Sequence, residues 1–130
     1  MQRPTVLLAD HLSRTRRVVA EHLRAEGWRV IEAADVPTAV REASRAHIDV
    51  LIWDLRIPGA DPACPARWID EAGALARAHR IALSLLERDL SALSESERRA
   101  LAAFFVKPFS LAELAARMRR LPCAPPEARR

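Results

Sequence analysis

Four consecutive apolar residues, Val50-Leu51-Ile52-Trp53, run without a polar interruption into Asp54, and Pro58-Gly59 then turns the chain. An unbroken run of this length fits a parallel strand buried on both faces, which restricts the fold to a sheet covered by helices from either side. A carboxylate that closes such a strand is not there for packing. In open α/β sheets the crevice beyond the carboxyl ends of the strands is where ligands bind. Thr5-Val6-Leu7-Leu8-Ala9 is a second unbroken run, and it too ends on an acid, Asp10, followed by His11.

The segments between and after these runs alternate in pattern. Ser13 as an N-cap, with Thr15, Val18, Val19, His22 and Leu23 at helical spacing, predicts a first helix that stops at Gly27. Trp28 to Ala33 predicts a short strand, and Asp35 with Pro37 opens a second helix striped by Val36, Ala39, Val40, Ala43 and His47. Pro62 and Pro65 forbid regular helix after the turn, so a third helix is expected from Ala66 to His79, with Trp68, Ile69, Ala72, Leu75 and Ala76 inward. Arg80 to Leu86 reads as a fourth strand carrying Ser84 near its end. Ser94 and Glu97 have capping-box spacing and predict a helix over Glu95 to Ala103. Phe104-Phe105-Val106 makes a fifth strand closed by Lys107-Pro108. Ser110 and Glu113 repeat the capping-box spacing before a last helix striped by Leu111, Leu114, Ala115 and Met118.

Five strands alternating with five helices predict a doubly wound α/β domain, a five-stranded parallel sheet with right-handed crossovers. The expected domain covers residues 1–121, and the Pro-rich, charged stretch 122–130 is expected to be a disordered tail. At 130 residues the chain is long enough for one core without staples. Cys64 and Cys123 have neither a disulfide framework nor a metal-ligand spacing. No apolar segment approaches the ~20 residues a membrane-spanning helix needs, and the first apolar run is too short for a secretory signal, so a soluble cytoplasmic protein is expected. The net charge of +4 is carried largely by Arg117, Arg119, Arg120, Arg129 and Arg130, with no interleaved aromatics to stack bases, which argues against nucleic acid as a partner.

On such a sheet Asp10, His11, Asp54, Ser84 and Lys107 converge at one edge. An aspartate can attack a phosphoryl group and form an aspartyl phosphate if a cation offsets the repulsion between carboxylate and incoming oxygens. Mg²⁺ held by the oxygens of Asp10 and Asp54 suits that task, Lys107 offers a compact ammonium, and Ser84 a hydroxyl. The chain has twenty arginines and a single lysine, which ends the fifth strand.

The strand ending in Asp10, the Asp-x-x-x-Pro-Gly segment from Asp54 to Gly59, Ser84 ending strand four, and Lys107-Pro108-Phe109 together resemble the receiver domain of response regulators, the CheY-like phosphoacceptor of two-component signalling. The resemblance spans about residues 4–121. It implies a flavodoxin-like strand order 2-1-3-4-5 and Asp54 as the phosphoacceptor, with Mg²⁺ held partly through the backbone carbonyl of Arg56. It also implies a switch in which Ser84 moves toward the phosphoryl group and Phe104 reorients. The implied partners are a histidine kinase or phosphotransfer protein and a downstream protein target, engaged through helix one or the face of helix four, strand five and helix five. That last face is also a route to a homodimer.

The chain departs from the family pattern at His11, where a second acid usually ligates the metal. Imidazole is a poor ligand for Mg²⁺, so weakened binding, or replacement by a softer divalent ion, is expected, with His11 itself as a further candidate ligand. A phosphorylation-independent pseudo-receiver is therefore the alternative reading, to which Leu85, after Ser84, also points. A phosphohydrolase of another doubly wound family would need an acid two residues after the nucleophile, and Arg56 stands there. No turnover of external substrates is expected beyond self-phosphorylation and autodephosphorylation.

Overall fold

A computed structural model describes residues 3–129. Five parallel strands, β1 (Thr5–Ala9), β2 (Arg29–Ala33), β3 (Val50–Asp54), β4 (His79–Ser84) and β5 (Leu101–Val106), form one sheet in the order β2-β1-β3-β4-β5. The helices between them are α1 (Ser13–Ala25), α2 (Val36–Ala43), α3 (Arg67–Ala72), α4 (Glu95–Arg99) and α5 (Leu111–Arg119), with 3-10 segments over Glu87–Ala92 and Pro126–Arg129. This is the doubly wound arrangement that the alternation of elements predicts, in the flavodoxin-like strand order that the resemblance implies.

Side-chain alternation along the buried strands divides the core in two. Leu7, Ala9, Leu51, Trp53 and Ala82 pack with α2 and α3, whereas Val6, Leu8, Ile52, Ile81 and Leu83 pack with Val19 and Leu23 of α1 and Leu114 and Met118 of α5. Trp53 thus serves packing. Register aligns the strand ends: Ala9 lies beside Trp53, Asp54 beside Leu83, and Ser84 beside Val106. Asp10, Asp54, Ser84 and Lys107 consequently form a row along the carboxyl edge.

Several boundaries differ from the sequence expectation, each for a tertiary reason. Leu12, not Ser13, occupies the N-cap of α1, and Thr15 and Val18 are exposed while Val19, Ala20 and Leu23 face the core. Helix α3 stops at Gly73, whose φ is 66°, six residues short of His79. Strand β4 ends at Ser84, leaving Leu85 57% exposed. Leu101-Ala102-Ala103 joins β5 and not α4, because pairing with β4 from Arg80 onward satisfies its backbone and overrides helix propensity. The tail is also placed: Ala124 and Ala128 are buried, and the segment Pro126–Arg129 packs against α5. Its charge and proline content conceal small apolar side chains that find cover there. Arg130 lies outside the described residues.

Apart from Ser13, the N-caps read from sequence are formed. Asp35 accepts from Thr38 N–H at the start of α2, Ser94 and Glu97 make a reciprocal capping box on α4, and Ser110 accepts from Glu113 N–H on α5. The turn after β3 depends on Gly59. Its φ is +97°, and a Cβ there would lie 2.9 Å from Val36 Cβ, where the loop presses on α2 and Val36 N–H donates to the Pro58 carbonyl at 2.9 Å. Gly59→Ala is expected to lower the unfolding free energy by about 1–3 kcal/mol. Gly73→Ala, with nothing within 4 Å of its Cβ, should cost less. Urea unfolding of both variants checks the order, and an equal loss would place the cost in φ alone.

Candidate functional site

Asp10 and Asp54 are built alike. Each leaves its strand and folds back in an Asx turn, its Oδ1 accepting the backbone N–H two residues on, from Leu12 at 3.0 Å and from Arg56 at 2.7 Å. Each Oδ2 then accepts from one ammonium, Lys107 Nζ, at 2.6 Å in both cases. The three side chains are 4%, 5% and 9% exposed, so the charges meet almost out of water. Two carboxylates against one cation leave the cluster net negative, the condition a further cation would relieve. Burial pulls the Lys107 ammonium toward deprotonation, but its bonds to Asp10 and Asp54 more than reverse this, so its pKa stands above the ordinary lysine value. The peptide from Lys107 to Pro108 is cis.

Ser84 is fully buried at the end of β4, and its carbonyl accepts from Lys107 N–H at 2.8 Å. Its hydroxyl does not bond Asp54. It bonds the carboxylate of Asp89 in the 3-10 segment after β4. The Arg56 guanidinium grips the same carboxylate with two bonds of 2.8 Å, Nε to Oδ2 and a terminal nitrogen to Oδ1. That grip, with Ser84 adding to it against the cost of burial, holds the Asp89 carboxyl below its usual range and raises Arg56. Asp89 is the site residue that sequence reasoning missed, and it is the partner to which the Arg56 side chain turns. An acid five residues past Ser84 carries no motif signal.

His11 is half-exposed, with Nδ1 4.0 Å from Asp10 Oδ1. Arg16, also unremarked in the sequence, donates to the Asp10 carbonyl at 2.8 Å and to Glu32 at 3.0 Å, fixing the end of β1 from α1. Phe104 is half-buried against the α2 and α3 side of the core, three residues before Lys107, and does not join the carboxylate cluster. A groove of about 560 Å³ opens beside Asp10 and Lys107, and its walls include Leu12, Val18, Leu85 and Phe109.

Residues 6–119 match the response regulator receiver domain family. The chain belongs to this family. Among solved structures this receiver is similar to the receiver domain of the hybrid histidine kinase CckA, at 29% identity over 89% of this chain and 96% of that one, with a TM-score of 0.70. It is similar to the receiver domain of the sensor histidine kinase PA1611 from Pseudomonas aeruginosa PAO1, at 30% identity over 88% of this chain and 93% of that one, with a TM-score of 0.71. The latter structure has a magnesium ion coordinated in its active-site cleft. The chemotaxis response regulator CheY4 of Vibrio cholerae shares the fold at 23% identity, a TM-score of 0.75, and coverage of 92% and 98%. No curated protein matches the chain. No helix of the described residues is long and apolar enough to cross a membrane.

The receiver's two buried carboxylates fit a hard divalent cation, since their Oδ2 atoms already converge on one positive charge. The donor set is short, however: among the described residues no group of three or more His, Cys, Asp and Glu side chains stands together to hold a metal. The cation present by construction is Lys107, and its titration has a readable signature because the chain has one lysine and no tyrosine. A raised folded-state pKa contributes stability that is fully present below the unfolded value and is lost as pH rises through the folded one. Unfolding free energy is therefore expected to fall above pH about 10.4. In Lys107→Met that alkaline limb should vanish, and stability at neutral pH should drop by about 3–5 kcal/mol as two buried carboxylates lose their cation. Urea titrations from neutral to alkaline pH check both, and an equal alkaline fall in the variant would assign it to other groups.

Proposed function

We propose that this receiver accepts a phosphoryl group on Asp54 from the phosphohistidine of a histidine kinase or phosphotransfer protein, and signals by changing a protein-interaction surface. The observation that carries the reading is Asp54 at the carboxyl end of the central strand, with one Oδ on Lys107 and Asp10 beside it on the same ammonium. In the transfer an Asp54 oxygen attacks phosphorus, the bond to the histidine nitrogen breaks, and an aspartyl phosphate forms. Lys107 supplies positive charge to the incoming oxygens from a fixed position, and Ser84 supplies a hydroxyl. Asp10, Asp54 and the Arg56 carbonyl would hold Mg²⁺, which lowers the repulsion between the carboxylate and the phosphoryl oxygens when bound. His11 in place of a second acid weakens that affinity or shifts preference to another divalent ion.

The apolar groove between α1 and the start of α5 suits docking of the phosphodonor, because it opens beside Asp10 and Lys107 and exposes Leu12, Val18 and Leu85. Phe104 and the α4-β5-α5 face carry the output to a downstream target, and the same face serves a homodimer. The setting is cytoplasmic, with no turnover of external substrates.

A second reading is favoured by the incomplete acid set at His11. On it the domain is a pseudo-receiver that binds its partner without phosphorylation, with Lys107 as its permanent counter-charge. Incubation with acetyl phosphate and Mg²⁺, followed by intact mass, tells the two apart. A phosphoryl adduct is expected in the wild type and absent in Asp54→Asn, with faster formation at low Mg²⁺ in His11→Asp. An adduct that persists in Asp54→Asn overturns the assignment of the acceptor, and one confined to His11→Asp favours the pseudo-receiver.

A further inference from the structure

The Ser84 hydroxyl has one proton to donate, and its partner decides what it can do. Leu86 N–H approaches Ser84 Oγ at 3.4 Å, a contact in which the oxygen accepts, so the hydroxyl proton is directed to Asp89. Asp89 stands here as an acceptor, because Arg56 donates to both of its oxygens. The guanidinium also fixes the orientation of the carboxylate, so Asp89 cannot turn to follow the serine. Arg56 lies two residues after Asp54 and Asp89 lies 33 further on, and the pair ties the loop after β3 to the 3-10 segment Glu87–Ala92. The hydroxyl thus bonds Asp89 and not Asp54 in this structure.

We propose that Asp89 is a positioning residue which, pinned by Arg56, sequesters the Ser84 hydroxyl and sets how readily Asp54 takes up a phosphoryl group. This inference rests on the reading of Asp54 as the phosphoacceptor. A phosphoryl oxygen at Asp54 and the Asp89 carboxylate compete for one proton, and the resting arrangement gives it to Asp89. Removing Asp89 frees the hydroxyl for the developing charge on the phosphoryl oxygens, so transfer speeds up. The effect is modest because Arg56 is half-exposed and its ion pair is screened by water.

The test follows the rate of adduct formation by intact mass, with acetyl phosphate and Mg²⁺, in the wild type, Asp89→Ala, Asp89→Asn, Ser84→Ala and the double variant Ser84→Ala/Asp89→Ala. Asp89→Asn is nearly isosteric and covers the case in which Asp89→Ala disturbs folding. The expected result is a rate about two- to fivefold higher in Asp89→Ala, a smaller gain in Asp89→Asn, and no gain from Asp89→Ala in the Ser84→Ala background. A gain of equal size without Ser84 would come from net charge or a loosened loop and would overturn the proposal. An unchanged or lower rate in Asp89→Ala with Ser84 present would overturn it as well, while leaving the acceptor reading intact. No adduct in any variant, the wild type included, would remove the acceptor reading and the role of Asp89 with it.

Discussion

The site depends on one ammonium shared by two buried carboxylates. Asp10 and Asp54 end adjacent strands, and with so little exposure their like charges would repel strongly without a cation between them. Lys107 meets both at 2.6 Å from the end of the fifth strand, 97 residues from Asp10 and 53 from Asp54. The contact joins β1, β3 and β5 at one edge, and the bond from Lys107 N–H to the Ser84 carbonyl adds β4. A compact ammonium on a flexible stem can sit between two carboxylates, whereas a planar guanidinium presents its donors in a fixed fork. That difference gives a physical reason for a lysine here in a chain otherwise supplied with arginines.

A second charged set lies beside the first and has a different character. Arg56 and Asp89 form a bidentate pair at the surface, and it reaches inward through the Ser84 hydroxyl. The buried cluster holds strand ends that the sheet register has already aligned. The outer pair instead joins two connections, after β3 and after β4, that lie outside the strands. Disturbing the first therefore costs core stability, while disturbing the second moves loops. The arrangement divides the site into a buried charged floor and a more exposed rim, with the serine at their junction.

The buried central strands and three of the N-caps are legible because their causes are local. Unbroken apolar runs gave β1 and β3 to within a residue, and Asp35, Ser94 and Ser110 were found from the spacing of side chains that satisfy free helix N–H groups. The misplaced boundaries have non-local causes. Leu101 to Ala103 reads as helix until β4 is available to pair with it, and Ala124 and Ala128 read as part of a polar tail until a core surface covers them. Within the site, Asp10, Asp54, Ser84 and Lys107 stood out as polar residues at the ends of predicted strands. Asp89 did not, because it follows a strand end by five residues in a short 3-10 segment that has no periodicity to detect.

The sequence by itself determined the alternation of elements, the burial of the central strands and the four polar residues at the sheet edge, since each follows from patterns a few residues long. Only the tertiary structure decided that one ammonium bridges both carboxylates, that Arg56 turns to Asp89, and that Asp89 holds the serine hydroxyl. Those pairings join residues between 5 and 97 positions apart. Which donor meets which acceptor across such separations depends on strand register and loop geometry, and neither exists until the sheet has formed.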